Sequence, residues 1–164
     1  MMTIIKVKGT FKWSLLLCLL YISSACSNQR ASIPALDIEV IHHSNNCGIE
    51  KPVIKTIDSA AELSNLLQSM PKKFGLGEMF ESDINYENKM LILYGLGQKP
   101  SSGYGIELYQ TNASLIEGKL HLPIRVIQPA SGTMQAQILT SPCAIYLLPR
   151  VEYSEIVIDS KEKF

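Results

Sequence analysis

The most informative stretch of the sequence is Lys89-Met-Leu-Ile-Leu-Tyr-Gly-Leu96, which is apolar at nearly every position. A strand with one face in water alternates apolar and polar side chains, whereas a strand covered on both faces is apolar throughout. This stretch therefore predicts a central strand, and other parts of the chain are expected to cover both of its faces.

Four later segments also have the composition of strands. Tyr104, Ile106 and Leu108 share one face of the first, and apolar residues occupy every second position of the next. These predicted strands span residues 103–110, 120–127, 143–148 and 155–159. Tight connections with good turn residues join them and favour antiparallel pairing.

One amphipathic helix is predicted before the central strand. Ser59-Ala-Ala-Glu62 forms a capping box, in which the serine oxygen accepts from the Glu62 amide and the glutamate reaches back. An apolar stripe at i, i+3, i+4 and i+7 follows, and Pro71 ends the helix because the residue before a proline avoids the α region. The helix, about 59–70, is expected to pack on a flat apolar surface.

Two short segments precede the helix. Residues 37–42 alternate and predict a half-buried strand, while 52–57 fit a short strand or an extended lead-in to the helix. The expected fold is α+β and mainly antiparallel β, with six or seven strands and the helix packed on the sheet. It forms one β-rich domain over 37–159, followed by a tail at 160–164.

The N-terminus has the parts of a secretory signal. Three lysines precede a short apolar run at 13–22, and Ser23-Ser-Ala-Cys26 follows it. The run is shorter than the roughly 20 residues that span a membrane. We expect residues 1–25 to be a signal peptide. Cys26 resembles the lipid-bearing cysteine of a bacterial lipobox; the alternative is an ordinary secretory signal in which Cys26 is incidental.

A lipidated Cys26 would anchor the protein to the membrane of the cell envelope. Residues 26–36 are small and polar and are expected to act as a tether. Ser27 after the cysteine favours the outer membrane, facing the periplasm, if the source is Gram-negative.

Cys47 and Cys143 are the other two cysteines of the predicted mature chain. In an oxidising compartment two cysteines favour a disulfide. The alternative is two separate thiols, one of them buried in the strand after Pro142.

Charge and motifs argue against several functions. Without the three signal-peptide lysines the chain has 12 basic and 15 acidic residues, a formal charge of −3, so nucleic-acid binding is not expected. His42 and His43 would point to opposite faces of a strand and His121 is isolated, so neither a metal nor another cofactor is expected. No Gly-x-Ser-x-Gly elbow surrounds a serine, and the chain is not expected to be an enzyme.

The segment Gly95-Leu-Gly-Gln-Lys-Pro-Ser-Ser-Gly-Tyr-Gly-Ile106 joins two strongly apolar strands. Glycines at 97 and 103 can adopt positive φ. One interpretation is a demanding hairpin turn with Tyr104 sealing the core beneath it. The other is a rigid recognition loop for a protein partner. That loop would consist of Lys99, Pro100, Ser101, Ser102, Gly103 and Tyr104.

The same segment, with residues 129–132 and 139–145, resembles the C-terminal domain of the PrcB family over about residues 89–149. It departs from the family pattern at Ser102, where glycine is usual. The family is named for a lipoprotein subunit of a surface protease complex. The resemblance implies a small β-rich domain, often on exported lipoproteins, that is associated with a protease assembly.

A weaker likeness concerns one loop alone. Pro100-Ser-Ser-Gly-Tyr104 is similar to the Pro-Thr-Thr-Gly-Tyr loop of chagasin-like inhibitors of cysteine proteases. Those inhibitors also use a glycine-rich loop, for which 130–132 is a thin match, and an Arg-Pro-Trp loop. The single tryptophan of the chain, Trp13, lies in the predicted signal peptide.

Three functions are therefore distinguished. The first is a non-catalytic, lipid-anchored accessory module that binds an unidentified envelope protein, such as a protease. The second is a protease inhibitor that inserts the Pro100–Tyr104 loop. The third is an enzyme or an envelope carrier of a small ligand, which would require a concave pocket with converging polar groups.

Overall fold

A computed structural model of the chain describes residues 35–71 and 84–159. The predicted signal peptide, Cys26, most of the tether and the tail lie outside these residues. Within the described part of the chain, no helix is both long enough and apolar enough to cross a membrane.

The described residues form ten strands and one helix. The strands are β1 (Ala35–Asp37), β2 (Glu39–Ser44), β3 (Val53–Ile57), β4 (Lys89–Gly95), β5 (Gly105–Leu108), β6 (Asn112–Ile116), β7 (Lys119–Leu122), β8 (Ile124–Ile127), β9 (Cys143–Pro149) and β10 (Glu155–Ile158). The helix, α1, is Ala60–Ser69. The α+β, mainly β fold class is confirmed.

The central sheet has the strand order β2-β9-β4-β3 and is antiparallel throughout. Its middle strands, β4 and β9, are almost entirely buried. Ile92 and Leu91 on β4 have no exposed surface, and they belong to apolar clusters on opposite faces of the sheet. The prediction that this strand is covered on both sides is confirmed.

Different elements cover the two faces. On one side lie the pair β5–β8 and a second sheet, β1-β6-β7-β10, whose Leu120 and Leu122 pack in the cluster of Ile92. On the other side Leu63 of α1 and Met70 join the cluster of Leu91. Burying one such side chain contributes about 1.5–3 kcal/mol, so both coverings stabilise the sheet strongly.

The helix begins as the sequence predicts. Ser59 is its N-cap, and the Ser59 hydroxyl accepts a hydrogen bond from the Glu62 amide at 3.2 Å. The Glu62 carboxylate accepts from the backbone N–H of Asp58 at 3.1 Å, one residue before the cap, and pairs with Lys55 at 2.7 Å. The hydrogen bond from Lys55 is the main cause of a lowered pKa at Glu62.

The number of strands is higher than the predicted six or seven for three reasons. The predicted strand over 37–42 is replaced by two strands, β1 and β2, which lie in different sheets. The predicted strand over 120–127 is divided at Pro123, which has no N–H for the ladder, and the chain there leaves the second sheet to pair with β5. In addition, the polar segment of β6 was not predicted as a strand. It forms a hairpin with β7 through Glu117 and Gly118, both at positive φ, as in a type I′ turn.

Two further details differ from expectation. Strand β10 runs parallel to β7, so the expected antiparallel pairing is wrong for this pair; the Lys119–Glu155 salt bridge, at 2.7 Å, joins the two strands. The expected tether also ends earlier than residue 36. Ala35 and Leu36 pair with β6, and Leu36 is buried in the core.

Candidate functional site

The connection from β4 to β5 contains the predicted recognition loop, and two glycines shape it. Gly97 has a φ of 71° and Gly103 a φ of 92°, as the sequence predicts for this turn. A Cβ atom on Gly97 would lie 2.7 Å from the Pro52 backbone nitrogen. The backbone therefore passes too close to its neighbour for any other residue.

The loop is paired with a second segment, Thr133–Leu139 and the adjoining Thr140. The backbones of Lys99 and Thr140 exchange two hydrogen bonds, of 2.8 and 3.0 Å. Ser102 donates its N–H to the Ala136 carbonyl at 3.0 Å and accepts from the Ala136 N–H at its hydroxyl at 3.1 Å. The loop and this segment therefore form one structural unit, which we call the loop surface (residues 97–104 and 133–140).

The six residues of the predicted recognition loop differ in their exposure to solvent. Pro100 and Gly103 are exposed, whereas Ser101 is only 9 % exposed, and its carbonyl accepts from the Thr140 hydroxyl at 3.0 Å. Ser101 is therefore covered, whereas its neighbour Pro100 is open to solvent. Thr140 packs over Ser101 because the two segments are paired.

Tyr104 also differs from one interpretation of the sequence. The ring is half-buried and lies outside the apolar cluster that contains Ile106, although a core tyrosine was expected under the hairpin interpretation. The Lys99 ammonium lies 5.7 Å from the ring centroid, within the range of a cation–π contact. Tyr104 thus belongs to the loop surface and is partly accessible there.

The sequence analysis missed three apolar side chains on this surface. Met134, Ile138 and Leu139 are 101 %, 57 % and 65 % exposed, more than any other large apolar residue of the described chain. Met134 and Ile138 have the i, i+4 spacing of a helix face, so the local pattern does not mark these side chains as exposed. Three exposed apolar side chains within six residues make this segment a candidate interaction surface.

On the face of the central sheet that α1 covers, Cys47 and Cys143 form a disulfide with their Cα atoms 6.0 Å apart. Both residues are almost fully buried. Cys143 is the first residue of β9, and Cys47 lies in the loop after β2. The bond therefore fixes that loop to a central strand of the sheet.

His42 lies beside this disulfide, which the sequence analysis did not anticipate. In the β2–β9 register His42 faces Ile145 and Ser44 faces Cys143, so His42 and Cys143 share one face of the sheet. One ring nitrogen and the two sulfurs all lie within 4.8 Å of one another. Burial, and secondarily the neighbouring His43, lowers the pKa of His42, which favours the neutral ring.

Three polar side chains, those of His121, Asp159 and Ser114, lie close together on the outer face of the second sheet. His121 Nδ1 is 3.0 Å from Asp159 Oδ1, and Ser114 occupies the cross-strand position beside His121. A nucleophilic serine must be hydrogen-bonded to its base. Among the hydrogen bonds of the described residues, none joins Ser114 to His121.

Among the comparisons with known proteins, one family model matches part of the chain. Comparisons with curated proteins and with solved structures find no match to the chain. Residues 90–148 match the family model described as PrcB C-terminal, which confirms the resemblance predicted over about 89–149. The ends of the match, Met90 and Leu148, are opposite each other on β4 and β9. The segment that matches the PrcB C-terminal model extends from β4 to β9 and contains the whole loop surface.

Proposed function

We propose that this chain is an exported, lipid-anchored accessory protein that uses the loop surface to bind a protease or another subunit of a protease assembly in the cell envelope. The observation that carries the proposal is the direct pairing of the predicted loop with a segment that exposes Met134, Ile138 and Leu139. Apolar side chains held on a fixed backbone can bind a partner at a small cost in conformational entropy.

Three further observations support the proposal. The PrcB C-terminal match includes the loop surface and points to a protease-associated accessory role. The Cys47–Cys143 disulfide is suited to an oxidising compartment. The N-terminal sequence has the order of a lipoprotein signal that ends at Cys26.

A non-catalytic role forms part of the proposal. The ion pairs among the described residues, such as Lys119–Glu155 and Glu107–Arg125, join side chains that are partly or largely exposed. Exposed pairs of this kind are common on protein surfaces and contribute little energy. They supply no arrangement of a nucleophile with its base.

Site-specific photo-crosslinking in the producing bacterium tests the binding surface. A photoreactive residue at Leu139, 65 % exposed, should form an adduct with an exported protease or a subunit of its assembly. The matched probe at Val40, 48 % exposed on β2, should not form that adduct. Identical adducts from both positions, or no adduct from Leu139, would overturn the proposed surface.

A second set of variants separates the apolar side chains from the fold. With the probe at Pro100, the change Met134→Ser/Ile138→Ser/Leu139→Ser should remove the adduct, because all three side chains are exposed and their loss leaves the core intact. The change Val40→Ser/Ile116→Ser is the control, since it removes exposed apolar residues elsewhere. If the purified protein alone blocks the captured protease, the inhibitor function replaces the accessory one.

The anchor is tested separately. Labelling cells with a fatty-acid analogue should mark the protein, and Cys26→Ser should abolish the label and release the protein from the membrane fraction. Cys18→Ser is the matched control and should keep both, since Cys18 lies within the predicted signal peptide. The lipid anchor would be contradicted if the parent protein stays unlabelled, or if the Cys26→Ser variant is still labelled.

A further inference from the structure

The group of His42, Cys47 and Cys143 has the ligand types of a soft-metal site. Thiolate sulfur and neutral imidazole nitrogen are the ligands that Zn²⁺ takes in proteins. In the structure one ligand atom from each residue lies within 4.8 Å of the other two. Among the described residues, this is the only group of three or more such side chains whose ligand atoms converge in this way.

The disulfide now occupies the two sulfurs, so a metal can bind only after the S–S bond opens. In a tetrahedral zinc site with Zn–S bonds of about 2.3 Å and Zn–N bonds of about 2.0 Å, neighbouring ligand atoms are roughly 3.5–3.8 Å apart. After reduction the two sulfurs, no longer covalently joined, have to separate to that distance. The imidazole nitrogen, already within 4.8 Å, has only a short distance to move.

The backbone around the site does not depend on the disulfide alone. The Cys47 N–H donates to the Ser141 carbonyl at 2.8 Å, and the Ser141 N–H donates to the Asn45 carbonyl at 2.9 Å. The Ser141 hydroxyl donates to the Ile49 carbonyl and accepts from the Ile49 N–H, both at 2.8 Å. These bonds hold Cys47 close to β9 when the sulfurs separate.

We propose that His42, Cys47 and Cys143 form a Zn²⁺ site when a dithiol reductant opens the disulfide. The dithiol transfers two electrons and two protons to the S–S bond and becomes a disulfide itself, leaving two thiols on the protein. Zn²⁺ then displaces the two thiol protons, and the neutral His42 ring donates a nitrogen lone pair. Three protein ligands leave the fourth position for water or an added ligand.

This proposal goes beyond the accessory function and makes a separate claim about the protein. The disulfide form and the zinc form would be two states of the loop after β2, selected by the redox state. The three proposed ligands lie outside the loop surface, which consists of residues 97–104 and 133–140.

The test uses the full chain in detergent with Cys18→Ser and Cys26→Ser, so that Cys47 and Cys143 are the only thiols. After reduction by a dithiol and its removal, the protein is titrated with Co²⁺, which reports thiolate ligation by an intense charge-transfer absorption. We expect one Co²⁺ per chain, displaced by one Zn²⁺. The oxidised protein should give no such band.

Two matched histidine variants decide whether the imidazole is a ligand. His42→Asn should weaken Zn²⁺ binding by more than about tenfold, the loss that even an outer-shell change produces. His43→Asn should bind nearly as the parent does, since His43 is exposed and outside the converging group. Equal affinity of the two variants would overturn the assignment of His42.

The reduced protein could unfold, and circular dichroism covers that case. If the reduced protein unfolds, Zn²⁺ should restore the native spectrum, because a metal bound only by the folded state stabilises it. Failure to refold with Zn²⁺ would overturn the proposal. A folded reduced protein without the charge-transfer band would do the same.

Discussion

Ser102 and Ala136 exchange two hydrogen bonds, one between their backbones at 3.0 Å and one from the Ala136 N–H to the Ser102 hydroxyl at 3.1 Å. Ser102 also donates its hydroxyl to the Gln135 side chain at 3.3 Å. The hydroxyl therefore holds the exposed segment Thr133–Leu139 against the loop. A glycine in place of Ser102 would remove this side-chain link and leave the backbone bond.

Replacing Ser102 should loosen that segment without unfolding the domain. Ser102→Ala leaves the Ala136 N–H without its acceptor, and a typical lost hydrogen bond costs about 1 kcal/mol. We expect faster amide exchange at Ala136 and unchanged exchange in β4. Ser131→Ala, an exposed change in the same connection, is the control. Unchanged exchange at Ala136 would show that the backbone bond alone holds the segment.

Gly97 should be intolerant of any side chain. Gly97→Ala places a Cβ atom 2.7 Å from Pro52 N and 2.8 Å from Lys51 C, in a left-handed conformation that itself costs about 1–2 kcal/mol. Gly132→Ala has a similar φ of 78° but meets nothing within 4 Å. Urea unfolding should show a loss of roughly 1 kcal/mol for Gly132→Ala and at least twice that for Gly97→Ala. Equal losses would mean that strain alone decides.

The disulfide should contribute a large part of the stability. It joins residues 96 positions apart, and the chain-entropy model gives about 4–5 kcal/mol for a loop near 100 residues. Cys47→Ser/Cys143→Ser should lower the free energy of unfolding by about that amount in chemical denaturation. The reduced parent should match the double variant in metal-free buffer. A loss below about 1 kcal/mol would show that the cross-link constrains the unfolded chain little.

Local pattern was sufficient to predict β4 and α1. The uniform apolar run and the capping box depend on neighbours in sequence, so the buried strand and the Ser59 cap follow directly. Pro123 was also visible in the sequence, but period-2 alternation on both sides of it concealed the change of sheet.

The two candidate sites depend on long-range pairing and could not be predicted in the same way. His42 meets Cys143 only because β2 and β9 pair across about a hundred residues, with a register shift between Val40 and His42. The local pattern of the exposed segment does not indicate that its apolar side chains face solvent. Its position beside Ser102 follows from the Lys99–Thr140 bridge, which no local pattern indicates.

The helix cap offers a simple test of local stability. Ser59→Ala removes the acceptor of the Glu62 N–H, and loss of such a cap costs about 1 kcal/mol, within a range of roughly 0.5–2 kcal/mol. Ser64→Ala, within the same helix, should be neutral or slightly stabilising, because alanine has the higher helix propensity. Thermal unfolding of both variants gives the comparison. Equal destabilisation would mean that the Ser59 hydroxyl does not act as a cap.

Tyr146, in the middle of β9, should make the protein sensitive to alkaline pH. Burial, and secondarily the neighbouring Tyr94, raises the pKa of Tyr146 in the folded state above the usual value of about 10. Between these two pKa values the unfolded chain releases the proton while the folded chain retains it, so stability falls as pH rises above about 10, by about 1.4 kcal/mol per pH unit for one group. Tyr146→Phe should remove that part of the slope of the unfolding free energy against pH, measured by urea unfolding between about pH 10 and 11.5.

Below about pH 9 both the folded and the unfolded chain keep the proton, so parent and variant should show parallel curves there. If their curves are also parallel above pH 10, the Tyr146 hydroxyl ionises as easily in the folded protein as in the unfolded chain, and its burial does not cause the alkaline loss of stability.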